Sequence, residues 1–329
     1  MIAGLLKSNI QLSIIILLLL CIAACGCSFY FVNTEVSLIN HKEHILYSLF
    51  IGNGFSFIYN EIITLFIILT GAFFVNFLVI EQEITSKTNF LPAFFYILFS
   101  FSASTKGIIE PILVANLFLL PSIYFLINSY RRDEALTDVF KAGVFMGLAS
   151  FFCINYIIVF PLSLFALIIL RPFNWREWAI LLLGLLTPLY IYVSICYLVT
   201  DNAFAVFSMM REAISTIQKP IISEYYIGFI FITVLAFIFA IIHYISKGFG
   251  GKVKTQKTKY ILLWMFTLSL LMVFFEQISD MVLLSCIVPL SIIIGDYMSE
   301  IKQLKIANTL LILFFGGFII IYLHALGLI

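Results

Sequence analysis

The densest group of potential metal ligands in the chain is His41-Lys42-Glu43-His44, an H-x-x-H pair around a carboxylate. Two imidazoles and a glutamate would make a three-ligand zinc site. The other two histidines, His243 and His324, lie near opposite ends of different apolar runs, so one metal cannot gather all four as the iron of a membrane oxygenase would require. No metal and no cofactor are therefore expected, and His41 and His44 stand as loop residues able to contact a substrate. Cys21, Cys25, Cys27, Cys153, Cys196 and Cys286 lie in or beside apolar segments and form no C-x-x-C pair, which argues against a zinc knuckle or a disulfide framework. No phosphate-binding loop, dinucleotide turn or nucleophile elbow occurs.

Ionisable residues next to apolar runs carry more information, because a charge in lipid is costly and usually has a partner or a purpose. Glu61 follows Asn60 just inside the second apolar run, and Lys106 and Glu110 flank a turn ahead of Pro111. Their depths predict that Glu61, Lys106 and Glu110 converge at the mouth of a cavity. A lysine between two carboxylates would keep all three ionised despite partial desolvation. Glu35, Glu43 and Arg211 fall in polar stretches that map to the same side.

The elements that must position these residues are almost wholly apolar. Of the 329 residues, 63% are hydrophobic and 11% charged, with a mean hydropathy of +1.15, which excludes a soluble globular protein. The formal net charge of +1 offers no field for nucleic acid. At roughly 20 residues per membrane helix, little chain is left for a soluble catalytic domain. The expectation is an all-α, polytopic membrane protein, one integral domain over 1–329, with about 11 transmembrane helices. The apolar runs place them at 10–32, 58–80, 90–105, 107–128, 142–153, 154–170, 179–199, 226–246, 260–275, 281–298 and 306–324. The first run is a full span, longer than a signal-peptide core, so lipidation at Cys25 is not expected.

Charge sets the orientation. With the N-terminus inside and the C-terminus outside, fourteen of the eighteen Lys and Arg residues face inward, leaving Lys42, Lys106, Arg211 and Lys219 outside. A single crossing by 142–170 would reverse every later loop and spoil that bias, so a helical hairpin turning near Cys153-Ile154-Asn155 is preferred; 90–128 forms a second hairpin. Outer loops fall at 33–57 and 200–225, the latter with an interfacial helix over Ala203 to Gln218, and a basic inner loop at 247–259 carries five lysines. Gly143 and Gly147 form a G-x-x-x-G, a pattern of close helix packing.

The most distinctive string, Arg171-Pro172-Phe173-Asn174-Trp175-Arg176-Glu177-Trp178, reads as an interfacial anchor and resembles one in an uncharacterised family of bacterial polytopic membrane proteins. More loosely, Asn89-Phe90-Leu91-Pro92-Ala93, the short hairpins, Gly143 to Ser150, and Pro161 followed by Arg171 resemble the helical core of C-type glycosyltransferases and O-antigen polymerases over residues 1–200. That resemblance implies a polyprenyl-phosphate-linked sugar bound at the outer face, with a carboxylate as general base and basic side chains on the phosphate. Glu35, Glu43 and Glu61 are then the catalytic candidates, and Lys106, Arg211, Glu110, His41 and His44 the substrate contacts. The first outer loop has neither an Asp-Glu pair nor a D-x-D, so activity stays open. A non-enzymatic subunit of an envelope complex, with protein partners, and a carrier or flippase are the alternatives; membrane lipid is a partner in each. The predicted bacterial inner-membrane topology is tested by cysteine reporters placed at 171–178 and 247–259: both should be unreachable from outside intact cells, and labelling of either would break the hairpin assignment.

Overall fold

The computed structural model describes residues 10–31, 57–85, 89–103, 109–132, 134–200, 224–246, 252–272, 282–301 and 303–325. Among them the chain forms eleven α-helices, one 3-10 helix and no strand. They are α1 (Ile10–Phe31), α2 (Phe57–Glu81), α3 (Leu91–Ala103), α4 (Pro111–Asn128), α5 (Leu136–Phe152), a 3-10 helix (Ile154–Ile158), α6 (Pro161–Leu170), α7 (Trp175–Thr200), α8 (Glu224–Ser246), α9 (Val253–Met272), α10 (Val282–Glu300) and α11 (Leu304–Ala325). Each coincides with one of the apolar runs, and α1 continues unbroken through Cys25.

Local chemistry explains many of the boundaries. Pro111 and Pro161 open α4 and α6, where a missing N–H costs no helical bond. Asn89 and Asn174 accept hydrogen bonds from the backbone N–H groups of Leu91 and Arg176, both at 3.2 Å. Glu83 and Arg131, at φ 51° and 55°, reverse the chain after α2 and α4.

α3 is the axis of the bundle: every side chain from Leu91 to Ser102 is buried. α10 lies along it, buried from Leu284 to Asp296, and the lack of a side chain at Gly295 lets the two backbones meet, since a Cβ there would sit 2.7 Å from the Pro92 nitrogen. On another side of α3, Gly71 of α2 receives the Tyr96 ring. Phe314 of α11 and Phe229 of α8 pack edge-on against Phe99, with centroids 6.1 and 5.9 Å away. A second layer joins α4, α5 and α7. Here Gly143, Gly147 and Gly184 let α5 and α7 touch backbone to backbone, as the G-x-x-x-G spacing predicts; a Cβ on Gly147 would lie 2.6 Å from the Leu185 carbonyl oxygen. α9 closes the bundle through Phe165–Trp264 and Phe237–Phe266 stacks at 4.6 and 4.0 Å.

Two expectations need correction. The first arm of the 142–170 hairpin begins at Leu136, giving 17 residues, because Asp138 is held by Arg132 at 2.7 Å and can lie in the first helical turn. The chain does break at Cys153, in extended conformation, but the return starts as the 3-10 helix and leaves α6 only 10 residues long. The basic stretch 247–259 is not all loop either: from Val253 it is the first part of α9, where lysine is a good helix former and finds acidic partners.

The described surface is apolar. Tyr190 and Leu198 of α7 are 74% and 81% exposed and Phe231 of α8 is 66% exposed, while Asp296 and Asn116 are wholly buried. Four helical segments, Ile58–Glu81, Pro111–Asn128, Trp175–Ile195 and Ile227–Ser246, are long and apolar enough to cross a membrane. This pattern suits association with lipid.

Gly184→Val should push α5 from α7, because its Cβ would stand 2.5 Å from the Phe140 carbonyl oxygen. A loss of about 1–3 kcal/mol is expected. Gly228→Ala, with nothing within 4 Å, should be neutral or stabilising. Thermal unfolding of both variants in detergent checks the contrast.

Candidate functional site

The charged side chains of the described residues separate to the two ends of the bundle. At one end stand Glu61 and Glu110, which are only 3% and 4% exposed. Glu61 is in the first turns of α2, and Glu110 is the extended residue that precedes α4. α2 and α4 pack together, with Phe74 and Phe77 both against Tyr124 at 6.5 and 5.6 Å. Followed back along the two helices, that register brings Glu61 level with Glu110. Glu61 Oε1 has no hydrogen-bond partner among the described residues, and Thr64, the next position on the same stripe, is buried as well. Below them, the Tyr156 hydroxyl donates to Asn116 Oδ1 at 2.6 Å, and Asn116 Nδ2 donates to the Leu284 carbonyl at 3.0 Å. This pair ties the 3-10 helix and α10 to α4 and gives the acidic end a rigid floor.

Of the residues singled out from the sequence, the structure thus brings Glu61 and Glu110 to one end. Glu35, His41, Glu43, His44, Lys106 and Arg211 lie outside the described residues. Among the described residues no group of three or more His, Cys, Asp or Glu side chains could hold a metal ion.

The opposite end is basic. Arg171, 12% exposed in its side chain, pairs with Glu177 at 3.0 Å and donates to the carbonyls of Ser129 and Arg132 at 2.5 and 2.7 Å. It therefore caps the α4 terminus and ties it to α7. Lys257 lies 5.1 Å from the centroid of the Tyr130 ring, and the Arg131 guanidinium 5.3 Å from it. Lys252 pairs with Glu83 at 2.5 Å; that hydrogen bond, with the charge of the ammonium, holds the exposed Glu83 carboxyl below its ordinary range. Phe173 and Trp175 of the octapeptide project outward, 76% and 67% exposed, as anchoring aromatics do. The octapeptide thus pairs exposed aromatics with an internal clamp, and the clamp was not visible in its sequence.

A third group was missed altogether. Lys259, Asp296 and Tyr244, all buried, meet between α8, α9 and α10: Lys259 Nζ is 2.7 Å and the Tyr244 hydroxyl 2.8 Å from Asp296 Oδ2. The available signal was Asp296 itself, an acid near the end of an apolar run.

Residues 36–328 match the family of unknown function DUF6427. The chain belongs to that family. No protein of established function and no solved structure matches it. Membership spans nearly all the helices and both ends of the bundle, and it carries no activity with it.

Arg171→Ala should leave the buried Glu177 carboxylate without its cationic partner and take a side-chain donor from the Ser129 and Arg132 carbonyls, a loss of about 3–5 kcal/mol. Arg171→Lys can restore the ion pair but not the fork to both carbonyls, so it should recover only part. Thermal unfolding of the purified variants measures both.

Proposed function

We propose that the protein is an inner-membrane component of bacterial envelope polysaccharide or glycolipid assembly, of glycosyltransferase or polymerase type, working on a lipid-phosphate-linked sugar at the outer face. In this reading all eleven helices are membrane elements, the N-terminus and the basic end face the cytoplasm, and the acidic end faces outward. The division of the Lys and Arg residues supports that orientation. The short α3 and α6 are accommodated because neighbouring helices shield their free backbone ends.

The observation that carries the reading is the buried carboxylate of Glu61, level with Glu110 and with an oxygen that no described residue engages. A carboxylate shielded from water is a suitable general base. One Glu61 oxygen takes the proton of the acceptor hydroxyl as that oxygen bonds to the anomeric carbon. The bond from that carbon to the phosphate oxygen breaks, and polyprenyl phosphate leaves with the electron pair. Lys106 and Arg211 are the candidates for neutralising the phosphate, and Glu110 for holding a sugar hydroxyl. Glu35 and Glu43 are the other candidates for the base, and His41 and His44 candidate substrate contacts, all from the first outer loop.

The test is release of polyprenyl phosphate by the protein in liposomes that contain a polyprenyl-phosphate-linked sugar and a hydroxyl acceptor. Glu61→Gln should lower the rate by about 10²–10⁴-fold, the usual contribution of a general base, with the donor still bound. An unchanged rate in that variant removes the assignment of Glu61, and a wild-type protein that binds and consumes no such donor leaves a non-enzymatic envelope subunit.

A further inference from the structure

We propose that Asp296 is a proton-binding site inside the bundle, loaded from the basic end through His243 and Glu300. The inference does not depend on the reaction assigned to Glu61, which lies at the other end.

The geometry of one carboxylate carries it. Lys259 Nζ and the Tyr244 hydroxyl both donate to Oδ2 of Asp296, at 2.7 and 2.8 Å. Oδ1 is buried and has no hydrogen-bond partner among the described residues. A clamp built only for stability would engage both oxygens, because an ionised carboxylate offers about four lone-pair sites and each one left empty in a dry interior is costly. With all donors on Oδ2, a proton can bind Oδ1 and leave Oδ2 as the carbonyl oxygen, still accepting from Lys259 and Tyr244. Neither partner has to move. Lys259 also keeps a partner when Asp296 is neutral, since its ammonium lies 4.4 Å from the centroid of the Tyr244 ring.

The same helices supply an entry. His243 precedes Tyr244 on α8, and Glu300 is one turn beyond Asp296 on α10; His243 Nε2 and Glu300 Oε2 are 2.5 Å apart. Their side chains are 24% and 17% exposed, against 0% for Asp296, so they stand nearer to solvent than the buried acid. Tyr297 packs on His243 with centroids 5.5 Å apart and completes the wall. The charged and titratable groups that act on Asp296 are Lys259 from α9, Tyr244 from α8 and Glu300 from α10, with His243 of α8 paired to Glu300. α3 meets this part of α10 through Pro92 at Gly295. A proton bound by the His243–Glu300 pair passes inward to Oδ1, and the pair is reloaded from solvent. Chains of carboxylate and imidazole at membrane depth serve as proton relays in pumps and transporters.

The full chain, purified in lipid nanodiscs, is examined by pH-difference infrared spectroscopy, which reads the C=O stretch of a protonated carboxyl. The wild type should gain such a band on acidification. Asp296→Asn should lose that component while Glu61→Gln and Glu300→Gln keep it, and His243→Gln should slow its appearance after a pH jump by about 10²-fold or more, the contribution of a positioned acid–base group to a proton transfer. Should Asp296→Asn unfold, the double variant Lys259→Leu with Asp296→Leu removes both charges, and such replacements are often tolerated. It should lack the same band. A wild type with no band, or a band unchanged in whichever Asp296 variant folds, overturns the proposal and leaves a permanently ionised clamp; an unchanged rate in His243→Gln overturns the entry route.

Discussion

A helix of 13 residues at the centre of the molecule sets the terms for the others. α3 reaches about 20 Å at 1.5 Å per residue, well short of a hydrocarbon core of roughly 30 Å. In the membrane placement proposed above, its terminal N–H and C=O groups would have to be kept from lipid. α1, α2, α10 and α11 all pack against it, and its side chains are buried on every face. Close wrapping in turn needs flat surfaces: Gly71 accepts the Tyr96 ring and Gly295 accepts Pro92, so the two longest contacts along α3 are both made at glycine. The α5–α7 pair repeats the solution with Gly143, Gly147 and Gly184.

The second constraint is electrostatic. Several polar groups inside the bundle are held by fixed partners, through Asn116 and Tyr156 near Glu110 and through Arg171 at the α4 terminus. Arg171 acts in two ways at once. It satisfies carbonyls that a helix end leaves open, and it neutralises the buried Glu177 of the next helix. Lysines that suit an aqueous boundary also pair with acids, Lys252 with Glu83 on the surface and Lys259 with Asp296 in the interior. The basic end is therefore both a boundary marker and a set of bolts between α2, α4, α7, α9 and α10.

The two ends differ in what their acids can do. At the basic end every acid mentioned has a cationic or imidazole partner. At the other end Glu61 is buried with one oxygen open, a state suited to taking a proton from a bound molecule. The general base proposed at one end and the proton site proposed at the other are chemically compatible in one protein, separated by the apolar length of α2 and α10.

Much of this was legible from residue type and spacing. Apolar runs bounded by polar clusters located all eleven helices, because in a lipid-like environment the backbone must bond within each segment and composition alone then dictates helix. Gly143 and Gly147 announced close packing, and the break at Cys153 followed from charge bookkeeping across the chain. What spacing could not decide was partnership between distant segments. The octapeptide looked like an anchor, yet Arg171 turns inward because Ser129 and Arg132, some forty positions earlier, end a helix beside it. Lys259 read as one lysine of a loop and Asp296 was not singled out; only the packing of α9 on α10 puts Nζ against Oδ2, with the Tyr244 ring beside it. Depth and sign of charge are properties of a segment, whereas the bond that makes a buried charge tolerable belongs to two segments at once, and only tertiary structure brings them together.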